Sequence, residues 1–284
     1  MKKLFTSFAL IVVIQLSVSI DYCVCQWEQC EGIYGGHFET FATIENTIFS
    51  GIECYGHGYG IYVSTNNGSN WNQTTLNNKR VSALSTRGNN IFAATWGEGV
   101  YMSTNKGANW THTLLNNGYI GTLAVNGNNI LAMRVDEPGG LYLSTNNGES
   151  WSITLNSSIR CIAVNGNNIF AGGTSGIFFS ANNGVNWILQ SNISYIYCFA
   201  TRGDTIFAGR NNWPNGSAGV FISTNNGSNW TQIGLINKNI SSLLTFGKYI
   251  FAGTESNGLY LSTNNGTNWT QTSLNKYVSS LTAL

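Results

Sequence analysis

From Val81 to Leu114 the chain alternates between short apolar runs and polar clusters, with the period of strands rather than helices. Val81-Ser-Ala-Leu-Ser-Thr86 alternates apolar and polar residues. Arg87-Gly-Asn-Asn90 is turn chemistry. Ile91-Phe-Ala-Ala-Thr95 is a continuous β-prone run, which predicts a strand buried on both faces. Trp96-Gly-Glu-Gly99 reads as a loop and Val100-Tyr-Met-Ser103 as a third strand. Thr104 to Asn109 reads as a tight turn, and Trp110-Thr-His-Thr-Leu114 as a fourth strand. No stretch places apolar residues at helical spacing, which argues against helical and leucine-rich solenoids.

This unit recurs. Ser64-Thr-Asn-Asn-Gly-Ser-Asn-Trp71 returns as Ser103–Trp110, Ser144–Trp151, Ser180–Trp187, Ser223–Trp230 and Ser262–Trp269. Each copy keeps an Asn two places after the Ser, a Gly four places after it and a Trp seven places after it. The asparagines are Asn66, Asn105, Asn146, Asn182, Asn225 and Asn264. The glycines are Gly68, Gly107, Gly148, Gly184, Gly227 and Gly266, in steps of 39, 41, 36, 43 and 39 residues. The tryptophans are Trp71, Trp110, Trp151, Trp187, Trp230 and Trp269. Four short strands at a period near 40 residues predict an all-β fold, a β-propeller of four-stranded blades. The Asn side chain is expected to bond the backbone two residues on, as an Asx-turn. The Gly is expected to take φ > 0 and the Trp to bury its ring between sheets. These turn residues are therefore structural.

The pattern Ser-x-Asn-x-Gly-x-x-Trp resembles the Asp-box, or bacterial neuraminidase repeat, over residues 26–284. That repeat occurs in sialidases, sortilin-type receptors, xyloglucanases and propellers like the photosystem II assembly factor. Every copy here carries Asn where the family has Asp. An Asx-turn survives that exchange, whereas a role that depends on charge does not. The resemblance implies that the boxes are structural and stand away from any active site.

With strands labelled A to D from the propeller axis outward, six ABCD sets run from about Phe38 to Leu274. Tyr277-Val-Ser-Ser-Leu-Thr282 then copies strand A, and Gln26-Trp27-Glu-Gln29 resembles the start of a strand D. The arithmetic predicts six complete blades and a partial seventh, with a truncated reading frame leaving the last blade incomplete. The alternative is six blades with the extra strands flanking the seam.

Residues 1–25 read as a secretory signal. Lys2 and Lys3 precede an apolar stretch from Leu4 to Val18, and cleavage after Cys25 would leave Gln26 first. The expected location is therefore secreted, periplasmic or cell-surface, with no membrane span after cleavage and a monomeric propeller over 26–284. Two of the six cysteines leave with the signal. Cys161 and Cys198 occupy the small-residue slot that Ala83, Thr122, Ser242 and Ser280 fill elsewhere, which predicts buried free thiols. Cys30 and Cys54 could pair.

Charged residues are only 9% and the formal net charge is +1, with no basic stripe, so nucleic acid is not an expected partner. His37, His57 and His112 have no metal-ligand spacing, and no calcium, Walker, Rossmann or nucleophile-elbow motif appears. Neither metal nor cofactor is expected.

In a propeller the B–C loops and D–A connections open on one face, and the A–B and C–D turns on the other. The variable segments are the B–C loops Glu53–Tyr59, Trp96–Glu98, Arg134–Pro138, Arg210–Asn215 and Glu255–Asn257. Elaborated loops on a rigid scaffold are where binding sites sit. Tyr55, His57, Tyr59, Trp96, Glu98, Arg134, Asp136, Arg210, Trp213 and Glu255 are the candidate ligand-binding residues. Aromatic rings beside carboxylates and amides suit a glycan, and a protein ligand fits the same face. No residue is assigned as catalytic. A sialidase needs three arginines, and only Arg134 and Arg210 lie on this face, leaving Arg80 or Arg160 to supply the third. A glycosidase needs two carboxylates at a set separation, and Glu98 with Asp136 or Glu137 is the available pair. The reading is a non-enzymatic recognition or scaffold module, with a glycoside hydrolase of sialidase or xyloglucanase type as the alternative.

Overall fold

The computed structural model describes residues 13–14, 37–54, 57–137, 139–211 and 217–283, and every regular element among them is a strand. Twenty-four of these strands form six antiparallel sets of four. Blade 1 is His37–Ile44, Thr47–Cys54, His57–Ser64 and Asn72–Asn77. Blade 2 is Val81–Arg87, Asn90–Gly97, Gly99–Ser103 and Thr111–His112. Blade 3 is Gly118–Asn126, Asn129–Arg134, Gly140–Ser144 and Ser152–Leu155. Blade 4 is Ile159–Asn165, Asn168–Gly173, Ile177–Ser180 and Ile188–Ser191. Blade 5 is Ile196–Arg202, Thr205–Arg210, Gly219–Ser223 and Thr231–Gly234. Blade 6 is Ile240–Phe246, Tyr249–Thr254, Leu259–Ser262 and Thr270–Gln271. Strand A of each blade abuts strand A of the next, which is the order of a propeller around its axis.

Strand B reads as an unbroken apolar run because both its faces are covered. Ile91 to Thr95 are all buried, and Phe49, Phe92, Phe170, Phe207 and Phe251 are its largest buried side chains. The core is a series of layers between blades. Phe92, Ala94 and Val100 of blade 2 pack against Ile120, Leu123 and Ile130 of blade 3. Phe207 and Val220 of blade 5 pack likewise against Ile240, Leu243 and Ile250 of blade 6. Trp110, Trp151, Trp187, Trp230 and Trp269 each join the layer toward the preceding blade. Gly253 shows the tolerance at these layers, since a Cβ there would lie 2.9 Å from Val278 Cβ.

The inner ring has seven places. Cys161 donates its S–H to Ile196 O, Cys198 to Ile240 O, and Ser241 Oγ to Val278 O at 2.6 Å. Ser279 Oγ then donates to Phe38 O at 2.9 Å, across 241 residues of chain. Val278 thus fills in the seventh place the role that Ile196 and Ile240 fill in theirs. Residues 277–281 carry no strand ladder, and Thr282–Ala283 pairs in parallel with Val13–Ile14. The expected outer strand at Gln26–Gln29 lies outside the described residues.

The repeated turn works differently from an Asx-turn two residues long. Asn66 Oδ1 accepts the hydroxyl of Ser64 at 3.0 Å and the backbone N–H of Asn70 at 2.9 Å, four residues on. Ser64 Oγ accepts the N–H of Gly68 at 2.9 Å. All six copies repeat these bonds. One side-chain oxygen makes both contacts, so an amide suffices here. Two successive residues have positive φ, as at Asn147 (57°) and Gly148 (89°). The indole N–H of Trp71, Trp110, Trp151 and Trp187 donates to the carbonyl of that Gly. In Trp230 and Trp269 it is buried without an acceptor.

Three local expectations are corrected. Trp96 and Gly97 are not loop: strand B of blade 2 runs on through them and pairs with Tyr119 and Gly118 of blade 3. The fourth strand of blade 2 covers only Thr111–His112, because the Leu114 N–H turns away to Gly148 O at 2.8 Å. Glu53, Cys54, His57 and Gly58 are not loop: they extend strands B and C of blade 1, Glu53 pairing with Gly58 and Cys54 with His57. Cys161 and Cys198 are free thiols, both raised in pKa by burial. The proposed partner of Cys54, Cys30, lies outside the described residues.

A Cβ at Gly148 would meet Thr113 Cγ2 at 2.6 Å on top of the positive φ. Gly148→Val is expected to destabilise the protein by more than ~1 kcal/mol. Thermal unfolding checks this, and a midpoint equal to that of the wild type would contradict this account of the turn.

Candidate functional site

One backbone bond recurs at the end of strand B in blades 2 to 6 and fixes which segments share a face. The N–H of Trp96 donates to Arg80 O at 2.9 Å, and Val135 to Tyr119 O at 2.9 Å. Asn211 donates to Tyr195 O at 3.1 Å and Glu255 to Asn239 O at 3.2 Å. In these blades the end of strand B, or the loop that follows it, therefore stands beside the residue preceding the first buried position of strand A in the same blade, such as Val81, Ile120, Ile196 or Ile240. The opposite face is made of turns stitched between blades. Arg87 donates there to Asn147 Oδ1 at 2.7 Å, and Arg202 to Asn265 Oδ1 at 2.6 Å.

Blades 2 and 3 build the aromatic part of the loop face. Trp96 is 41% exposed and Tyr119 is 43% exposed, with ring centroids 5.2 Å apart and planes tilted by 57°. The strand pairing of Trp96 with Tyr119 sets that distance. The Arg80 guanidinium lies 4.8 Å over the indole, a cation–π contact. Val135, beside Tyr119, is also exposed.

The carboxylates around these rings are engaged. Glu98 accepts Lys79 Nζ and the Tyr101 hydroxyl, each at 2.6 Å. The bond from Lys79, then that from Tyr101, holds its carboxyl below the usual glutamate range. Burial first, and the accepting Glu98 second, push the Tyr101 phenol above its ordinary range. Asp136 accepts Arg134 Nε at 3.1 Å and Arg134 Nη2 at 3.0 Å, a bidentate pair, and also the Tyr119 N–H at 2.8 Å. The guanidinium is the main reason its carboxyl titrates low. Arg134 is thus committed to its own loop, and Arg210 is held by Ser217 O of its loop at 3.3 Å from Nη1 and by Ser194 O, ahead of strand A, at 3.1 Å from Nε.

A second polar group forms around blades 5 and 6. Glu255 accepts Asn211 Nδ2 on Oε1 and Asn239 Nδ2 on Oε2, both at 2.8 Å. Tyr277, at the seventh inner place, has its phenol raised by burial and then by the charges of Glu39 and Glu255. Among the sequence-expected residues, Trp96, Glu98, Arg134 and Asp136 come together on blades 2 and 3, while Arg210 and Glu255 belong to blades 5 and 6. His57 and Tyr59 start strand C of blade 1, and Tyr55 and Trp213 lie outside the described residues. Tyr119, Asn211, Asn239 and Tyr277 were not expected, and Arg80 was named only as a candidate third arginine of a sialidase triad. All but Asn211 stand at one repeat position, immediately before Val81, Ile120, Ile240 or Val278, and superposing the repeats would have found them. Among the described residues, no group of three or more His, Cys, Asp and Glu side chains could hold a metal ion.

No family model and no curated protein matches the chain. Solved structures do resemble it. YCF48 from Cyanidioschyzon merolae superposes with a TM-score of 0.67 at 13% identity, covering 86% of this chain and 87% of that one. The chain is all-β and shares the propeller fold of these structures. A YCF48 bound to D1 peptide gives a TM-score of 0.63 at 14% identity, over 84% and 82% of the two chains. The GH74 xyloglucanase from Xanthomonas campestris gives 0.67 at 13% identity, covering 83% of this chain but only 45% of its own length.

The Lys79–Glu98 pair yields a titration test. A carboxyl lowered by folding stabilises the fold above its unfolded pKa, and that contribution fades as pH falls through the lower folded value. In Lys79→Met the Glu98 carboxyl should titrate at higher pH than in the wild type, read by carbon-detected NMR. An unchanged midpoint would show that the ammonium is not what holds it ionised.

Proposed function

We propose that the chain is an exported recognition or scaffold propeller of the Asp-box kind, binding a polypeptide or glycan through its B–C loop face without turning it over. One observation carries this reading: Trp96 and Tyr119 present an exposed aromatic pair capped by Arg80, ringed by carboxylates that are already bonded. Exposed aromatic and arginine clusters are typical anchors of recognition surfaces. A glycosidase of the expected type needs one carboxylic acid kept protonated near neutral pH. Glu98 and Asp136 shift the opposite way, so the pair first in line for hydrolysis is unsuited to the acid step. Among ligand classes a polypeptide is favoured, in keeping with the peptide-bound YCF48 of the same fold. The hydrolase reading keeps its support in the GH74 likeness, which is a likeness of fold.

The test is a joint binding and turnover screen of the protein against peptide arrays and a glycan panel that includes xyloglucan and sialosides. Peptide retention without sugar release is the expected result. Trp96→Ala should weaken retention by roughly tenfold or more, since truncated tryptophan anchors typically cost at least about 2 kcal/mol. Sugar release that disappears in Glu98→Gln would overturn the non-enzymatic reading.

A further inference from the structure

The polar half of the loop face centres on one carboxylate, Glu255, gripped by two side-chain amides. Asn211 is 4% exposed, and its amide faces the Glu255 carboxylate, donating to Oε1 at 2.8 Å. The oxygen of the same amide is buried and has no partner. Buried polar atoms are nearly always satisfied, and an orphan calls for a missing donor. Asn239 holds the other carboxylate oxygen, so Glu255 is fixed in orientation from two sides. Neither contact neutralises it: both donors are uncharged amides, and among the described residues Glu255 forms no ion pair. The field of Glu255 reaches the Tyr277 phenol beside it. On blades 2 and 3, by contrast, Lys79 and Arg134 already neutralise Glu98 and Asp136.

Resting on the recognition reading above, we propose that the notch formed by Asn211, Glu255 and Asn239 takes the cationic end of a lysine or arginine side chain from a bound polypeptide. An ammonium or guanidinium supplies several donors and no acceptor. It can take the remaining lone pairs of the exposed Glu255 carboxylate in charge-assisted bonds, and a donor reaching past that carboxylate would also satisfy the buried Asn211 oxygen. The pre-set carboxylate means that little side-chain order remains to be gained on binding. The partner is then a polypeptide that lays an apolar or aromatic residue near Trp96 and a basic residue over blades 5 and 6.

Small probes test the notch apart from the larger surface. Butylammonium, butylguanidinium and neutral butyramide would be titrated into nitrogen-15-labelled protein while the side-chain amides of Asn211 and Asn239 are followed by NMR. Both cations should shift these signals saturably, and butyramide should not. Glu255→Gln should weaken the cation response about tenfold, the loss of one charge-assisted bond, and Asn211→Leu should weaken it also. Absence of a saturable shift in the wild type, or an equal shift with butyramide, would overturn the proposal without need of any variant. Cation binding with no retention on the peptide arrays would instead discredit the recognition reading and leave the notch standing.

Discussion

A four-stranded sheet that is apolar on both faces is stable only between two neighbours. Every blade here depends on that condition, and the ring satisfies it. Strand B can be an all-apolar run, and strand A can hold small residues in its slot, because another blade always lies against them. The bond from Ser279 to Phe38 is where this dependence becomes visible. It joins the seventh inner place to the first blade, repeating the contact that Ser241 makes with Val278. Blades 1 and 6 would otherwise each lack a neighbour on the inner ring.

The two faces of the ring divide the work. On the turn face, side chains are used up in holding the backbone: a Ser and an Asn in each blade cap one tight turn, and arginines and asparagines bridge to the next blade. The regularity of that face follows, because each bond needs the same partner at the same offset. On the loop face the recurring bond is between backbone groups only, as from Trp96 to Arg80 and from Glu255 to Asn239. Side chains there carry no structural duty in common, so they are free to differ from blade to blade.

Charge is scarce in this chain, and where it occurs it is placed. Lys79 with Glu98 and Arg134 with Asp136 rigidify two neighbouring loops and leave the aromatic pair between them as the exposed feature. The Glu255 carboxylate is held by amides and, among the described residues, forms no ion pair. The loop face therefore has an aromatic side and an acidic side, on a scaffold rigid enough to keep them apart.

The repeat was legible because strand period, turn chemistry and spacing are local, and the Asn-Gly turn with its closing Trp dictates one backbone path. The seven-place inner ring was legible too, since Tyr277 to Thr282 copies a pattern already established six times. Local sequence misjudged Trp96 and Gly97, whose loop-like composition is overridden by pairing with the next blade. It also misjudged the reach of the Asn side chain, because the Ser hydroxyl takes the nearer N–H. Chain order alone determined the propeller and which loops share a face. Only the tertiary structure decided that Arg80 caps Trp96, that Lys79 and Arg134 neutralise Glu98 and Asp136, and that Asn211 and Asn239 grip Glu255. Those contacts join residues 16 to 44 positions apart, or meet across a loop, and no local pattern encodes the distance between two such side chains.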